Sequence, residues 1–279
     1  MQSDNIDFSS FNPEHIQGAL ALSQAEKWPH RAEDWELALE LSLGVVALDS
    51  DGQVVGTILV TPYGTDCATI NMVIVAKSMR GRGLGRILME KAFDLAESRP
   101  LRLVATAEGL PLYKKLGFAA YGDILQFQGN VVEVTAPEGV EPASTADLDE
   151  IKKIDREAYG ADRQALIEAL NARGDFAVIR QDGAIKAYAA LRAFGRGEVV
   201  GPVVATSLEE AKTLIAFFAA KRPQAFLRID TAGDTGLDGW LAEIGLAHVG
   251  GGTAMRKPLK ENAEQARTEI YALANQALG

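Results

Sequence analysis

The stretch VIVAKSMRGRGLGRILMEKAF, residues 73–93, decides the fold. An apolar run typical of a buried strand leads into a loop with three glycines and three arginines, and an amphipathic helical pattern follows. A helix N-terminus presents backbone N–H groups and the positive end of the helix dipole, and glycines allow an anion to approach the backbone closely. The pattern therefore predicts a strand–loop–helix unit that can bind a phosphate group.

The spacing of the glycines separates this loop from two other phosphate-binding loops. Gly81, Gly83 and Gly85 follow the pattern G-x-G-x-G, whereas a dinucleotide fingerprint is G-x-G-x-x-G and a P-loop ends in Gly-Lys-Ser/Thr. The arginines beside these glycines can add charge-assisted hydrogen bonds to an anion. The alternative interpretation is an ordinary turn whose arginines are only solvated.

The composition is that of a globular protein large enough for two domains. Its 279 residues are 47% hydrophobic and 24% charged, and the formal net charge is −10. The acidic balance argues against a nucleic-acid partner, and the single cysteine with three scattered histidines argues against a metal site. No apolar run is long enough for a membrane, and the polar N-terminus, MQSDNIDFSSF, does not resemble a signal peptide. We therefore expect a cytoplasmic protein with no metal and no membrane partner.

The sequence repeats one structural plan twice. A hairpin pattern around Asp-Gly at 43–63 recurs at 175–192. Each hairpin is followed by an apolar strand, a helix, a second strand and a short helix that ends in Gly-hydrophobic. Gly52 matches Gly183 at an offset of 131 residues, and the other landmarks have similar offsets. Matching landmarks in the same order predict a tandem duplication of one fold.

Two further segments complete the organisation of the chain. Residues 129–150, between the two copies, form a linker rich in Pro, Gly, Ser and Thr. The stretch NAEQARTEIYALANQAL, residues 262–278, places Ala266, Ile270 and Leu273 on one stripe. This spacing predicts an amphipathic C-terminal helix packed back on the body.

The strand–loop–helix stretch, followed by LRLVATA (101–107) and LYKKLGF (112–118), resembles the GNAT family, the Gcn5-related N-acetyltransferases. The loop's first arginine and its last two glycines match the family's pyrophosphate motif, Gln/Arg-x-x-Gly-x-Gly/Ala. The Leu-Tyr and Gly-Phe pairs of LYKKLGF match its second motif in order and distance. The resemblance implies an α/β (α+β) chain of tandem GNAT-like domains, each a mixed, largely antiparallel sheet flanked by helices. Residues 1–130 would be the catalytic GNAT domain, and residues 131–279 a degenerate GNAT-like domain with the C-terminal helix.

The same resemblance implies an activity. The chain would be an acyltransferase that uses acetyl-CoA as donor and moves the acetyl group directly to an amine in a ternary complex. The acceptor would be a small-molecule or peptide amine, whose identity stays open, as does the oligomeric state. The alternative is a non-catalytic acyl-CoA-binding or regulatory module, because neither of the two strands that often carry a base has Asp or Glu.

The resemblance assigns the donor site to the glycine loop and the strand before it. Backbone N–H groups of the loop would cradle the pyrophosphate, and the strand would pair with the pantetheine arm. A strand N–H could also hold the thioester oxygen as negative charge develops. The donor-binding residues implied in this way are Val73, Ile74, Val75, Arg80, Gly81, Arg82, Gly83, Leu84, Gly85, Arg86 and Thr106, the last at a position where many members carry asparagine.

Tyr113 and His30 are the catalytic candidates. Tyr113 falls where the family places a tyrosine whose hydroxyl protonates the departing thiolate, and the alternative is a ring that only packs in the core. The loop at 26–35 should border the acceptor cleft, and His30 is its best base because an unperturbed histidine has a pKa of about 6.5. A water relay is the alternative base. Trp28 and Trp35 either line the acceptor pocket or are structural.

The second copy has lost the residues on which donor binding depends. At the position of the glycine loop stands TSLEEAKTLI, which has no glycine and brings Glu209 and Glu210. Two carboxylates at a helix start satisfy the dipole and repel a pyrophosphate. Leu241 stands at the position of the tyrosine and has no proton to give. We therefore expect one donor site per chain, with the second domain as support or as a wall of the acceptor site through 158–163 and 194–202.

Overall fold

The computed structural model describes residues 6–257 and 269–279, and both copies of the plan contain the predicted elements in the predicted order. The first half consists of β1 (Asp7–Ser10), α1 (Ile16–Ala25), α2 (Ala32–Glu40), β2 (Leu43–Leu48), β3 (Val54–Tyr63), β4 (Cys67–Val75), α3 (Leu84–Ala96), β5 (Leu101–Ala105), α4 (Leu110–Lys115) and β6 (Ala119–Asn130).

The second half repeats this order and adds one short strand at its end. It consists of β7 (Glu141–Pro142), α5 (Leu148–Tyr159), α6 (Gln164–Asn171), β8 (Gly174–Gln181), β9 (Ala184–Phe194), β10 (Gly197–Ala205), α7 (Leu208–Ala220), β11 (Phe226–Ala232), α8 (Asp238–Glu243), β12 (Ala247–Lys257) and β13 (Glu269–Ala272). None of the helices in the described ranges is long and apolar enough to cross a membrane.

The described strands form one continuous sheet. Its strand order is β1-β2-β3-β4-β5-β12-β6-β11-β10-β9-β8-β7, and β13 pairs with β10. Only the pairs β4–β5 and β10–β11 are parallel, and the others are antiparallel. The prediction of mixed, largely antiparallel sheets flanked by helices is confirmed, with the difference that the two halves share one sheet.

The two halves exchange their long last strands. Strand β6 follows α4 of the first half but pairs with β11 of the second, with Phe127 opposite Ile229. Strand β12 follows α8 of the second half and pairs with β5 of the first, with Met255 opposite Leu103. The exchanged strands also pair with each other. Each half is therefore completed by backbone hydrogen bonds to a strand of the other half.

Helices cover both faces of the sheet because their apolar stripes need burial. Helix α3 buries Leu88 and Met89 on one face of the first half, and α2 buries Trp35 on the opposite face. In the second half α7 takes the place of α3, and α5 and α6 take the place of α1 and α2. The core around α5 and α6 also includes Leu37 and Tyr63 of the first half, so the halves share apolar packing as well as strands.

The predicted C-terminal helix is wrong over the residues that can be described. Residues 262–268 of that prediction lie outside the described part of the chain, and the next residues, Glu269–Ala272, are strand β13. Strands β10 and β11 pair only at Glu198–Leu227 and Val199–Arg228 and then diverge. Strand β13 lies in the resulting gap, where it pairs with β10 and the Leu273 N–H donates to the Asp230 carbonyl at 2.8 Å. The backbone N–H and C=O groups of β10 and β11 that face this gap need hydrogen-bond partners. The segment meets this need as a strand, although its sequence pattern favours a helix.

Candidate active site

The first half contains the same divergence between parallel strands, but none of the described strands fills it. Strands β4 and β5 pair only at Ala68–Leu101 and Thr69–Arg102. Further along, β4 bends away through an irregularity at Met72, whose φ is +51° and whose carbonyl accepts a 2.8 Å hydrogen bond from the Thr57 hydroxyl. Such bulges re-aim a strand and often lie beside active sites. The gap between β4 and β5 is therefore produced by the backbone conformation of β4 at Met72.

A cavity of about 450 Å³ opens at this gap and is walled by both halves. From the first half it is lined by the β4 segment 70–73, by the β5 end around Thr106, by Tyr113 and by the loop 27–30. From the second half it is lined by Phe194, Arg196 and Arg228, and by the C-terminal residues 275–277. The expectation that the second copy walls this cleft is met by segment 194–202 through Phe194 and Arg196, whereas the described cavity lining includes none of 158–163.

Tyr113 lines this cavity with its hydroxyl in the protonated form. The side chain is 7% exposed, its ring packs edge-on against Phe118, and Gly109 leaves room for it, since a Cβ there would lie 2.8 Å from the ring. Burial raises the pKa of Tyr113 to about 12. Within the described residues no group hydrogen-bonds to its hydroxyl. The phenol is thus protonated and available to a molecule in the cavity.

The glycine loop has the backbone geometry of an anion cradle. Gly81 and Gly83 have φ of +77° and +82°, conformations that favour glycine, and a Cβ at either position would meet open space. Within the described residues the amides of Gly81, Gly83, Leu84 and Gly85 donate to no backbone carbonyl. These amides stand at the N-terminus of α3, where the helix dipole favours an anion.

The arginines of the loop are already engaged by the protein. Arg80 donates through Nε to the Val75 carbonyl at 3.1 Å and forms an ion pair with Glu26 at 2.7 Å. Arg86 pairs with Glu90 one turn along α3 at 2.9 Å. A role for these two arginines in anion binding stays a prediction, in which each guanidinium would be shared between its present partner and the anion.

The other predicted donor-binding residues divide between the cavity and the core. Val73 and Thr106 line the cavity. Ile74 points to the opposite face, where it is buried against the α1–α2 side, and Val75 packs toward α3. The Thr106 hydroxyl accepts a 3.2 Å hydrogen bond from the Gly109 amide and so shapes the turn into α4. The contacts of their backbones with a donor stay predictions.

His30 lies in the cavity wall, as the sequence suggested, but in an apolar setting. Its ring contacts Trp28, Trp35 and Phe194, and its Nδ1 is enclosed without a hydrogen-bond partner among the described residues. Burial, opposed only in part by Asp34, lowers its pKa to about 4. His30 is therefore a neutral imidazole at ordinary pH. Its role as the base stays a prediction.

The two tryptophans near this loop have different environments. Trp28 lines the cavity. Trp35 is fully buried, and its indole N–H donates to the Ser23 hydroxyl at 3.2 Å. Trp28 is thus placed to contact an acceptor, and Trp35 is structural.

A polar floor of the cavity was missed in the sequence. Gln128 lies opposite Arg228, and Gln126 lies opposite Asp230, where β6 pairs with β11. Gln276 links this floor to the C-terminal segment by donating to Asp230 at 2.9 Å. These residues are far apart in sequence, and only the strand exchange brings them together, so no local signal could have found them.

The equivalent region of the second half has a capped helix start and a filled gap between its parallel strands. The Ser207 hydroxyl accepts from the Glu210 amide at 3.3 Å, and the Glu210 carboxylate accepts from the Thr206 amide at 2.9 Å, so side chains cap the start of α7. Leu241, at the position of the tyrosine, is fully buried. Strand β13 occupies the gap between β10 and β11.

Several proteins of known sequence or structure are similar to this chain. An uncharacterised N-acetyltransferase of Bacillus subtilis, YitH, is 29% identical over 95% of this chain and 96% of its own length. A holothin acyltransferase of a Pseudoalteromonas species is 26% identical over 80% of this chain and 81% of its own. A solved protein of Pyrococcus horikoshii, provisionally named an acetyltransferase, superposes with a TM-score of 0.82 at 21% identity, covering 100% of this chain and 98% of its own. A tandem GNAT protein from the clavulanic acid biosynthesis pathway gives a TM-score of 0.62 at 14% identity, covering 90% and 98%.

Family models match each half of the chain separately. The acetyltransferase (GNAT) family model matches residues 11–118, and an acetyltransferase (GNAT) domain model matches residues 151–272. The matches cover the glycine loop and Tyr113 in the first half and the repeated elements in the second. Together with the fold, they show that this chain is a tandem-domain member of the GNAT acetyltransferase family.

Proposed function

We propose that this protein is an N-acetyltransferase that takes the acetyl group from acetyl-CoA and gives it to an amine bound in the shared cavity. The first half, residues 1–130, would hold the donor, and the second half, residues 131–279, would close the acceptor side. The observation that carries the proposal is that the Tyr113 hydroxyl, the open gap between β4 and β5 and the second half's side chains all line one cavity. Donor and acceptor can therefore meet without leaving the protein.

The residues of the first half fit acetyl-CoA. The amides of Gly81, Gly83, Leu84 and Gly85, with open space around the glycines, suit a pyrophosphate at the start of α3. The exposed backbone between the diverging strands suits the amides of a pantetheine arm, which would lie beside Val73. The second half offers no such combination, because its gap holds β13 and its helix start is capped.

Tyr113 would act as the general acid of a direct transfer. The amine nitrogen forms a bond to the thioester carbonyl carbon, the carbon–sulfur bond breaks, and sulfur takes the proton of the Tyr113 hydroxyl. A backbone N–H of β4 near Met72 would stabilise the negative charge that develops on the carbonyl oxygen. The acceptor nitrogen loses one proton after it has attacked. Water or His30 carries that proton to the Tyr113 phenolate, which restores the hydroxyl.

The absence of a carboxylate base shapes this proposal. Among the described residues that line the cavity there is no Asp or Glu. With a pKa of about 4, His30 is a weak proton acceptor, although it is always in the neutral form that acceptance needs. The acceptor would thus bind as a neutral amine. The same absence favours the second candidate function, a non-catalytic acyl-CoA-binding or regulatory module.

The first experiment measures donor binding by calorimetry in the variant Gly83→Asp. This change puts a carboxylate where phosphate oxygens would lie, and we expect acetyl-CoA binding to be lost. Gly183→Asp is the matched control, because Gly183 has a φ of +83° and equally open surroundings but lies in a hairpin turn of the second half. Unchanged affinity in a folded Gly83→Asp protein would show that the loop is only a turn.

The second experiment separates an enzyme from a binding module. Release of free thiol from acetyl-CoA is followed across a panel of amines, with longer acyl-CoA donors included because the similar holothin protein is named only as an acyltransferase. Transfer to an amine supports the enzyme, and donor binding without transfer to any member supports the module. We place this activity in the cytoplasm, independent of nucleic acid, membrane and metal.

A further inference from the structure

We propose that the acceptor carries an anionic group, such as a carboxylate, at a distance from its amine, and that Arg196 with Arg228 binds that group. The inference rests on the proposed function and names the class of amine that the cavity selects. It concerns the end of the cavity that the second half builds.

The charged side chains that line the cavity are positive, whereas the chain as a whole is negative. The charged residues in the described lining are Lys27, Arg196 and Arg228, and all three are cationic. The whole chain has a formal net charge of −10. Lys27 belongs to the loop 27–30 of the first half, next to Glu26, which is paired with Arg80 of the glycine loop. The two arginines are the cations that the second half contributes to the cavity.

Arg196 pairs with no carboxylate in the described part of the chain. It forms no ion pair or hydrogen bond with any described residue, and its guanidinium lies 4.7 Å from the centre of the Phe226 ring. The turn that carries it is held in place, since the Gly195 amide donates to the buried Asp34 carboxylate at 3.0 Å. An arginine stacked on a ring and held by a fixed turn is arranged to bind a planar anion at low entropic cost.

Arg228 also lines this cavity, and the protein uses only part of its guanidinium. Its Nε and Nη2 bind the fully buried Asp230 at 2.9 and 3.0 Å, which fixes the guanidinium and leaves Nη1. Gln128, opposite Arg228 in the β6–β11 pairing, adds amide hydrogen-bonding groups to the floor. A fixed guanidinium with a donor that Asp230 does not use, together with Arg196, which pairs with no described carboxylate, favours an anionic ligand.

The position of this cationic end separates it from the donor. Strand β11 lies three strands from β5, about 14 Å at the usual spacing between strands, whereas the donor belongs between β4 and β5. A molecule with its amine at Tyr113 and its anion at Arg228 must bridge much of that distance. The cavity therefore favours amines whose anionic group is remote over those in which the two groups are adjacent.

The test uses matched pairs of amines in the thiol-release assay. Amino acids with short and long spacers are compared with their carboxamides, and amino alcohol phosphates with the free alcohols. We expect the anionic member to have roughly ten- to a hundredfold higher kcat/KM, chiefly through a lower KM, with the larger preference for long spacers. Arg196→Gln should remove most of that preference, because kcat/KM should fall much more for the anionic members than for the neutral ones, while the KM for acetyl-CoA stays nearly the same.

Lys221→Gln is the control. Lys221 is also an exposed cation of the second half stacked on a phenylalanine ring, 3.7 Å from the centre of Phe217, but it does not line the cavity. It should keep the full preference. Equal rates for charged and neutral members, or a loss in Arg196→Gln that is the same for both, would overturn the inference.

Calorimetry keeps the inference separate from the proposed function. The acetylated forms of each matched pair are titrated into the protein in the presence of CoA. If no amine is acetylated but the anionic members bind tighter and Arg196→Gln abolishes the difference, the proposed function fails and the anion site stands. If transfer occurs but binding does not discriminate, the enzyme stands and the anion site fails.

Discussion

Replacing Tyr113 by phenylalanine removes one hydroxyl and leaves the ring in its place. The ring is held by Phe118 and by the close approach of Gly109, and neither contact involves the oxygen. Since no described group hydrogen-bonds to the hydroxyl, its loss leaves no buried partner unsatisfied. The free energy of unfolding should change by less than about 0.5 kcal/mol.

The effect on turnover should be far larger than the effect on stability. General-acid catalysis contributes roughly 10²- to 10⁴-fold. An alkyl thiol with a pKa of about 8.5 is already a fair leaving group at neutral pH, so we expect the lower end of that range. A hundredfold fall in kcat corresponds to about 2.7 kcal/mol of lost transition-state stabilisation, with the KM for acetyl-CoA nearly unchanged. The pH profile should show no alkaline limb from this phenol below about pH 12, because burial raises the pKa of Tyr113 to about 12.

The assay follows free thiol under saturating acetyl-CoA with an amine that the wild-type protein accepts. Tyr271→Phe is the matched control, because Tyr271 is also 7% exposed but does not line the cavity. A Tyr113→Phe protein that keeps the full kcat would remove this residue from the mechanism. Equal losses in both variants would show that the effect is one of packing.

The remaining predictions concern stoichiometry and pH. Calorimetry should find one acetyl-CoA bound per chain, because β13 and the capped start of α7 close the second half, and two equivalent sites would contradict this. Because burial lowers the pKa of His30 to about 4 from about 6.5 in the unfolded chain, the unfolded state binds more protons between those values. The free energy of unfolding should therefore fall as the pH drops from about 6.5 through 4, by on the order of 3 kcal/mol from this group, and His30→Gln should remove that part of the slope. Denaturant unfolding at a series of pH values measures this free energy. If it has the same pH dependence in the wild-type protein and in His30→Gln, His30 is not the cause.

Local signals in the sequence were sufficient for the elements and for the position of the glycine loop at the start of α3. The two Asp-Gly turns require a left-handed conformation that glycine adopts readily, and both hairpins form around them. The glycine loop and Tyr113 are close in sequence, and β5, which lies between them in the chain, fixes their relative position in space. For this reason the first half of the cavity could be predicted from the motif.

The partner of each long strand could not be predicted in this way. Strands β6 and β12 stand at equivalent positions of the two copies, so either could complete either half by its local pattern. The exchange depends on tertiary packing, and the floor of Gln126, Gln128 and Arg228 depends on the exchange. The C-terminal segment was mistaken for a helix because its alanines and leucines suit one, whereas the gap beside β10 offers it hydrogen bonds as a strand.

The exchange of strands also determines how long the first half stays incomplete while the chain is being synthesised. Ala105 of β5 pairs with Thr253 of β12, 148 residues later. At usual rates of translation the ribosome needs roughly 7 to 30 s to make that stretch. Throughout this interval β5 presents an open edge, and β6 has neither of its final neighbours until β11 has been made, so the nascent first half resembles a sheet with an unprotected side. Production of the protein should therefore depend on how well the cell shields unfinished chains, and two chains stalled at this stage have matching edges with which to pair.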